Sequence, residues 1–202
     1  MANGKVCTGF SMPWVAKYTA SSAGVVSYSG GMALARGVSV SLDVNGSEDN
    51  YFYADNVKAE TDTQAFTDGT MTLTVDGLKA TARKFISGTV STTSVTANST
   101  TVTGDVYDDT QVVPYIGVGF IARYMENGVT TYAPIIIHKV KFNPEGLEAA
   151  TQEEEIDWQT TELDATIFRD DSSNHAWKTI FADQSTEDAA LNVIKAVLTP
   201  AA

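Results

Sequence analysis

The chain has 202 residues, of which 25 are acidic and 13 basic, so its formal net charge is -12. Nucleic-acid affinity comes mainly from Lys and Arg that neutralise phosphates, and the basic residues here form no cluster, which argues against tight DNA or RNA binding. The single cysteine, Cys7, excludes an intramolecular disulfide. Because the sequence shows no signal-peptide pattern and no run of the ~20 apolar residues that a membrane helix needs, we expect a soluble protein made in the cytosol.

Two segments, 37–44 and 69–77, alternate between apolar and polar side chains with the period of two that is typical of half-buried strands. The apolar positions are Val38, Val40, Leu42, Val44, Met71, Leu73 and Val75. The polar positions are Ser39, Ser41, Asp43, Thr70, Thr72, Thr74 and Asp76. Each segment therefore predicts a strand with one core face and one face of hydroxyls and carboxylates.

The segments that flank the second strand have no such alternation. Residues 45–62 are acidic with aromatic residues at 51–53, and we predict an irregular loop there. Residues 78–88 have helical spacing and end at Gly88, a natural C-cap. Residues 89–105 are almost entirely Ser, Thr and small residues, which is typical of a flexible loop or of an exposed, weakly packed hairpin.

Residues 115–142 predict two long strands joined at Asn127-Gly128, a strong hairpin signal. Residues 117–122 match the dinucleotide-binding pattern GxGxxA, but that fingerprint needs a helix after the glycines. Here the strand continues to Tyr124. We interpret these glycines as positions of close packing or a bulge.

The stretch 150–171 contains eight carboxylates in 22 residues. Thr151 and Glu154 have capping-box spacing, but from Thr161 onward the pattern has a period of two, which favours a strand. Its apolar positions are Thr161, Leu163, Ala165 and Ile167, and its polar positions are Glu162, Asp164 and Thr166. Two carboxylates that are two residues apart on one strand point the same way, so they do not flank a glycosidic bond as glycosidase carboxylates do.

The last predicted element is a helix over 185–200. Ser185 and Asp188 have capping-box spacing at its start, and Pro200 stops it. Its apolar stripe is formed by Leu191, Ile194 and Leu198. Both predicted helices are short and amphipathic, so we expect them to cover a sheet.

Few residues point to chemistry. His138 lies in an apolar strand and His175 in a polar turn, and neither has a metal-ligating partner at suitable spacing. The series Asp43, Asn45, Ser47 and Asp49 imitates the start of a calcium loop. Glu48 and Ala54 stand where such a loop needs Gly and Glu. The segment 43–54 can therefore form at most a weak, adventitious cation site. We predict no enzyme, no catalytic, metal or cofactor-binding residues, and one domain over 1–202 with α+β content dominated by β.

Six stretches carry a resemblance to a known family. They are ANGKVCTGFSMPWVA, YSGGMALARGVSVSLDV, NYFYADN, GTMTLTVDGL, VPYIGVGFIARYMENGVTTYAPIIIHKVKF and AATQEEEIDWQTTELDATIFRDD. In this order they resemble the major tail protein, or tail tube protein, of long-tailed phages, in the family of the phi13 type. The resemblance covers nearly the whole chain except 89–105.

The resemblance implies a fold and an assembly. Such subunits are β-sandwiches or half-barrels with one or two short flanking helices, and six of them form a ring. The rings stack into a hollow tube through which DNA passes. Partners would be further copies of the chain, tail tip or initiator, tape measure and tail terminator proteins, with assembly in the host cytoplasm and a final place in the virion tail. The last predicted helix lies close to Ala202, so we expect no C-terminal immunoglobulin-like domain.

With that resemblance, the polar strand faces become candidates for the lumen lining. They are Ser39, Ser41, Asp43, Thr70, Thr72, Thr74, Asp76, Glu162, Asp164 and Thr166. The acidic loop becomes the candidate contact between subunits, because aromatic residues are enriched in interface cores. Its residues are Glu48, Asp49, Tyr51, Phe52, Tyr53 and Asp55. The alternative is a monomeric β-sandwich binding module of the lectin or adhesin kind, and a carboxylate hydrolase is the weakest reading.

Overall fold

The computed structural model describes residues 4–46, 50–62, 66–88, 91–147, 149–151 and 158–199. Within them 57% of the residues are in strands and 11% in helices, so the protein is mainly β, as the alternating patterns predict. The strands are β1 (Val6–Ala20), β2 (Val26–Ala33), β3 (Gly37–Gly46), β4 (Asn50–Ala54), β5 (Val57–Asp62), β6 (Phe66–Val75), β7 (Ser91–Ala97), β8 (Thr100–Val106), β9 (Ile116–Glu126), β10 (Val129–Phe142), β11 (Thr161–Phe168) and β12 (Lys178–Ile180). The helices are α1 (Ala80–Ser87) and α2 (Glu187–Leu198).

One antiparallel sheet forms the body of the protein. Its strand order is β2-β1-β9-β10-β11-β6-β3, and β12 pairs with β10 beside this path. The sheet curls so far that β1 approaches β3, although the two strands lie near opposite ends of the order. Phe10 of β1 comes so close to Gly37 of β3 that any Cβ on Gly37 would collide with the ring. The result is the half-barrel architecture.

The inside of the half-barrel is the larger of two hydrophobic cores. It is built from alternate residues of the strands, because successive side chains of a strand point to opposite faces of the sheet. The central members are Val15, Met71, Leu73, Val75, Val118, Ile137, Leu163 and Ile167. Ala82 and Ile86 of α1 join them. This core contains the inward positions predicted for 69–77 and 161–167, except Thr161, which is half-buried at the start of β11.

The helix α2 covers the outside of β1, β9 and β10. Its residues Ala190, Ile194 and Leu198 pack on Ile121 and Ile136 in a second core. Two strand glycines permit this approach. A Cβ on Gly119 would lie 2.5 Å from Cγ2 of Ile194, and a Cβ on Gly117 would lie 2.4 Å from Cε1 of Tyr28. The interpretation of these glycines as close-packing positions is therefore confirmed.

The helix boundaries agree with the sequence pattern to within a few residues. Helix α1 ends at Gly88, which has a left-handed φ of 68° and acts as the predicted C-cap. In α2 the N-cap is Thr186, whose hydroxyl accepts a hydrogen bond from the N–H of Ala189, and not Ser185 as the spacing suggested. The N-cap is thus one residue later than predicted, and its hydroxyl accepts the capping hydrogen bond as a serine hydroxyl would.

Two exposed hairpins stand outside the main sheet. The prediction of an irregular loop at 45–62 is wrong from Asn50 onward, because β4 and β5 pair there around a turn at Asp55 and Asn56, and residues 45 and 46 are the end of β3. Both turn residues have positive φ, 53° and 61°, as the two-residue turns that suit the twist of a hairpin require. The segment 91–106 forms the hairpin β7–β8, which confirms the second of the two alternatives for the Ser/Thr-rich stretch.

Other differences from the sequence patterns have local causes. The strands β1 and β2 were not predicted. In β1, Met12 has a positive φ of 53° and the pairing shifts between Ser11 and Trp14, which interrupts the alternation. In β3, Val38 and Val44 are exposed although the alternation placed them in the core. A register shift between Gly37 and Ser39 displaces Val38, and Val44 lies near the strand end that leads into the exposed hairpin.

His138 packs between strands, as its apolar surroundings predict, while His175 is exposed in a turn. The Nδ1 atom of His138 lies 3.0 Å from the Tyr28 hydroxyl and its Nε2 atom 2.7 Å from the Thr179 hydroxyl. Burial lowers the pKa of His138 below its ordinary value of 6.5, against a smaller raising effect of Asp170. The folded protein therefore favours the neutral imidazole.

This burial predicts a pH dependence of stability. Below about pH 6.5 the unfolded chain binds a proton at His138 more readily than the folded chain does, so the free energy of unfolding falls as the pH decreases. The pKa values of Asp171 and Asp183 are lowered by hydrogen bonds from Lys139 and Lys5, so these groups do not titrate in this window. We expect urea midpoints measured between about pH 7.5 and 5 to change less in His138→Gln than in the parent. Equal changes in both proteins would contradict the assignment.

Candidate functional site

The three predicted polar strand faces lie side by side in the structure. Strand β6 pairs with β3 on one side and with β11 on the other, and the registers align their polar positions. The rows are Ser39–Thr74–Glu162, Ser41–Thr72–Asp164 and Asp43–Thr70–Thr166. We call these nine residues the polar face. Since neighbouring strands are about 4.8 Å apart, they form one continuous surface about 10 Å wide across the strands.

The polar face lies on the outside of the half-barrel, opposite the core. The intervening residues Met71, Leu73, Leu163 and Ala165 are buried in the inner core, so the hydroxyls and carboxylates must point away from it. Helix α2 packs on β1, β2, β9 and β10, beyond the strands that carry this surface. One half of the outer sheet surface is therefore covered by a helix, while Ser39, Ser41, Asp43, Glu162 and Asp164 on the other half are exposed.

The carboxylates of the polar face form no ion pair with any residue that the structure describes. The Thr72 hydroxyl donates a hydrogen bond of 2.8 Å to Oδ1 of Asp164. Among the ion pairs of the described residues, none involves Asp43, Glu162 or Asp164. These nine side chains, three carboxylates and six hydroxyls, carry only negative charge, so they repel polyanions.

Asp76 differs from the other lumen candidates. It follows the last residue of β6, and its carboxylate accepts hydrogen bonds from the backbone N–H of Arg36 at 2.9 Å and from its Nε at 2.5 Å. The hydrogen bonds from Arg36 lower the pKa of Asp76 below its usual range. The charge of Asp76 is balanced by Arg36, so we place Asp76 at the edge of the polar face. The ion pair also connects the end of β6 to the segment before β3.

Two lysines border the polar face and were not predicted. After a register shift between Ile137 and Val140, Lys139 and Lys141 of β10 point to the same side as Thr166 of β11. Lys139 donates a hydrogen bond of 2.7 Å to Asp171, whereas Lys141 is exposed and is in no ion pair with a described residue. The alternation of polar and apolar residues in HKVKF (138–142) is a sequence signal that could have indicated these lysines.

The aromatic residues of the acidic segment are displayed on the hairpin β4–β5. Tyr51, Phe52 and Tyr53 are all exposed, and Asp55 forms part of the turn. The ammonium group of Lys58 lies 3.3 Å from the centroid of the Tyr51 ring, a cation–π contact that stiffens one face of the hairpin. The candidate residues Glu48 and Asp49 lie outside the described residues.

No protein-family model matches the chain, and the search of curated proteins found no significant match. In the described ranges no group of three His, Cys, Asp or Glu side chains is arranged to hold a metal ion. Neither described helix is long and apolar enough to cross a membrane. What the fold and the surface define is a mainly β half-barrel with a bare acidic and hydroxyl sheet face and two projecting hairpins.

Proposed function

We propose that this chain is a structural subunit that polymerises as stacked hexameric rings into a phage tail tube, through which DNA passes during ejection. The observation that carries the proposal is the polar face. Three neighbouring strands place nine acidic or hydroxyl side chains side by side on one outer surface, with Lys141 only at its border. The resemblance of the six sequence stretches to tail tube proteins supports the same function.

A DNA conduit needs a wall that does not retain its cargo. Duplex DNA carries a negative charge for about every 1.7 Å of helix axis, and lysines or arginines that neutralise these charges hold it strongly. A wall of carboxylates repels the phosphates, and short hydroxyl side chains keep the wall smooth. The polar face supplies both kinds of group. DNA would therefore pass through without specific binding.

The sheet edges supply the means of closing such a wall. Strand β3 is at one end of the strand order and also carries one row of the polar face. An edge strand presents unpaired backbone N–H and C=O groups that pair readily with another chain. Joining β3 to the next subunit would extend the polar face around a ring and remove the edge. The further partners would be tail tip or initiator, tape measure and tail terminator proteins, and the assembled protein would reside in the virion tail.

A second candidate is a monomeric binding module of the lectin or adhesin kind. The exposed aromatic side chains of β4–β5 favour it, because aromatic rings on a surface are common contact residues for ligands. This candidate predicts a monomer at all concentrations and gives the polar face no role.

Negative-stain electron microscopy of the purified protein at rising concentration separates the two candidates. We expect rings or hollow tubes, either from the protein alone or after addition of the tail-tip complex of the encoding phage. A tail-tip complex supplies the ordered first ring that nucleation otherwise lacks. Monomers that persist in the presence of that complex would contradict the tube proposal and favour the binding module.

A further inference from the structure

The hairpin β7–β8 projects from the body of the protein with both of its outer edges open. Residues 92–97 and 100–104 are exposed, and no other described helix or strand packs along them. The two strands pair without a register shift, so the hairpin is regular over its whole length. A two-stranded hairpin is only marginally stable in water, and three or more strands are needed for independent stability. This hairpin therefore gains stability from a strand that extends it.

The two faces of the β7–β8 hairpin differ in chemistry. The exposed residues of one face all carry hydroxyls, namely Thr92, Ser94, Thr96, Thr101 and Thr103. Two pairs of these hydroxyls are hydrogen-bonded across the strands at 3.2 and 3.0 Å. The opposite face has Val95 and Val102 at its centre, which pair directly and are 63% and 60% exposed. A strand that extends this sheet must therefore alternate hydroxyl and aliphatic side chains in the same way.

The free edge of β8 offers backbone hydrogen-bonding groups at two of the hydroxyl positions. Ala97 and Thr100 flank a two-residue turn, in which the closing pair is hydrogen-bonded, and hydrogen-bonded pairs alternate with non-hydrogen-bonded pairs along antiparallel strands. The N–H and C=O groups of Thr101 and Thr103 hence point away from β7. Natural edge strands are commonly protected by a lysine, a proline or a bulge. Residues 100–104 contain none of these, so the β8 edge is open to pairing.

The absence of charge from this hairpin favours a second copy of the chain as the partner. Copies with a formal net charge of -12 repel each other. Residues 91–104 contain no charged side chain, so two copies can approach at this hairpin without bringing like charges together. A strand that carries charges would find no opposite charge here. The alternation of hydroxyl and aliphatic side chains that the sheet requires is the pattern of β8 itself.

We propose that two copies pair antiparallel through their β8 edges, with Val102 of one copy opposite Val102 of the other. This register is self-complementary, because it places Thr101 of each copy opposite the partner's Thr103. Both threonines present outward backbone groups, so each of these pairs exchanges two hydrogen bonds. In the resulting four-stranded sheet, the Val95 and Val102 side chains of both copies form one apolar row across one face, and the hydroxyls line the other face.

Strand β8 is the anchored strand of the hairpin, which favours its edge over that of β7. The ammonium group of Lys84 in α1 lies 2.6 Å from Oδ1 of Asp105 near the end of β8. A strand that is already held loses less conformational freedom on pairing. The contact is isologous, so it closes as a dimer. Neighbouring subunits of a hexameric ring are related by a sixfold rotation, so this dimer is a state of the free subunit and goes beyond the proposed function.

Disulfide formation tests the pairing in a Cys7→Ser background, which removes the single cysteine of the chain. In Val102→Cys the two thiols face each other in a non-hydrogen-bonded pair, whose Cα atoms are about 4.5 Å apart, a distance that a disulfide can bridge. In the matched control Val95→Cys, on the same face, the two Cα atoms are three strand spacings or about 14 Å apart. We expect the subunit alone, in a glutathione redox buffer, to form disulfide-linked dimer at least about tenfold faster in Val102→Cys.

Two proline variants test the same edge without an added thiol. Thr103→Pro removes an outward N–H and leaves the β7–β8 ladder intact, as does Ser94→Pro on the β7 edge. Each dimer loses two hydrogen bonds in Thr103→Pro, so sedimentation equilibrium should show at least about tenfold weaker dimerisation than in the parent. The Ser94→Pro variant should dimerise as the parent does. Circular dichroism verifies that every variant retains the fold.

The results decide this inference independently of the tube proposal, which electron microscopy tests. Equal rates of disulfide formation in the two cysteine variants overturn the pairing. Faster formation in Val95→Cys assigns the contact to β7 and overturns the β8 edge. A parent chain that sediments as a monomer at all concentrations also overturns the dimer, whether or not tubes grow after addition of the tail-tip complex.

Discussion

On the proposed function, tubes built from the double variant Glu162→Lys with Asp164→Lys are expected to assemble normally and to deliver DNA poorly. Each substitution replaces a negative by a positive charge on the polar face, so the surface that repelled phosphates would hold them. Neutralising several phosphates makes binding strong and salt-dependent, and we expect infectivity to fall by about 100-fold or more. The measurement is the titre of phage complemented with the variant, together with tube length in micrographs.

The matched control makes the same charge change away from the polar face. Asp109→Lys with Glu126→Lys also adds two lysines at exposed acidic positions, one in a loop and one at the end of β9. We expect this variant to deliver DNA as the parent does. A fall of equal size in both variants would show that net charge matters and the position does not. An undiminished titre in the Glu162 and Asp164 variant would contradict the assignment of these residues to the proposed lumen.

A large loss of stability is expected on substitution of Gly119. A Cβ at this position would lie 2.5 Å from Cγ2 of Ile194 and 3.1 Å from Cδ1 of Leu198, which are both fully buried. Helix α2 would have to move outward, and overpacking of this kind costs about 1–3 kcal/mol. We therefore expect Gly119→Ala to lower the free energy of unfolding by about 2 kcal/mol, measured by urea denaturation.

Gly104→Ala is the matched control, because it is also a glycine in a strand but has open space around it. The nearest atom to its Cβ would be Cγ2 of Thr93 at 3.8 Å, an ordinary contact. Since alanine restricts the unfolded chain more than glycine does, this variant should be neutral or slightly more stable. If the free energy of unfolding fell equally in both variants, the loss at Gly119 could not be attributed to the close approach of α2 to β9.

The two halves of the outer sheet surface explain why these variants should act so differently. Over β1, β9 and β10 the strands present glycines and aliphatic side chains, and α2 buries them. Over β3, β6 and β11 the strands present hydroxyls and carboxylates that no described helix covers. Substitutions in the first half change folding stability, whereas substitutions in the second half leave the fold intact and change what the surface attracts.

The sequence by itself determined which side chains share a face of a strand. The polar positions of 37–44, 69–77 and 161–167 follow from alternation alone, because the period of a strand is a local property of the backbone. The Asn127-Gly128 turn and the C-cap at Gly88 could likewise be predicted from the local sequence, because both depend on residues that readily adopt positive φ.

The sequence did not show which strands are neighbours. Strand β11 follows β6 by more than eighty residues, yet the two pair along their whole polar rows. Such pairing depends on the packing of the entire core, which no short window of sequence contains. The continuity of the polar face and the position of the β10 lysines at its border were decided by the tertiary structure. Where a register shift interrupts the alternation, as in β1, the local signal itself was lost.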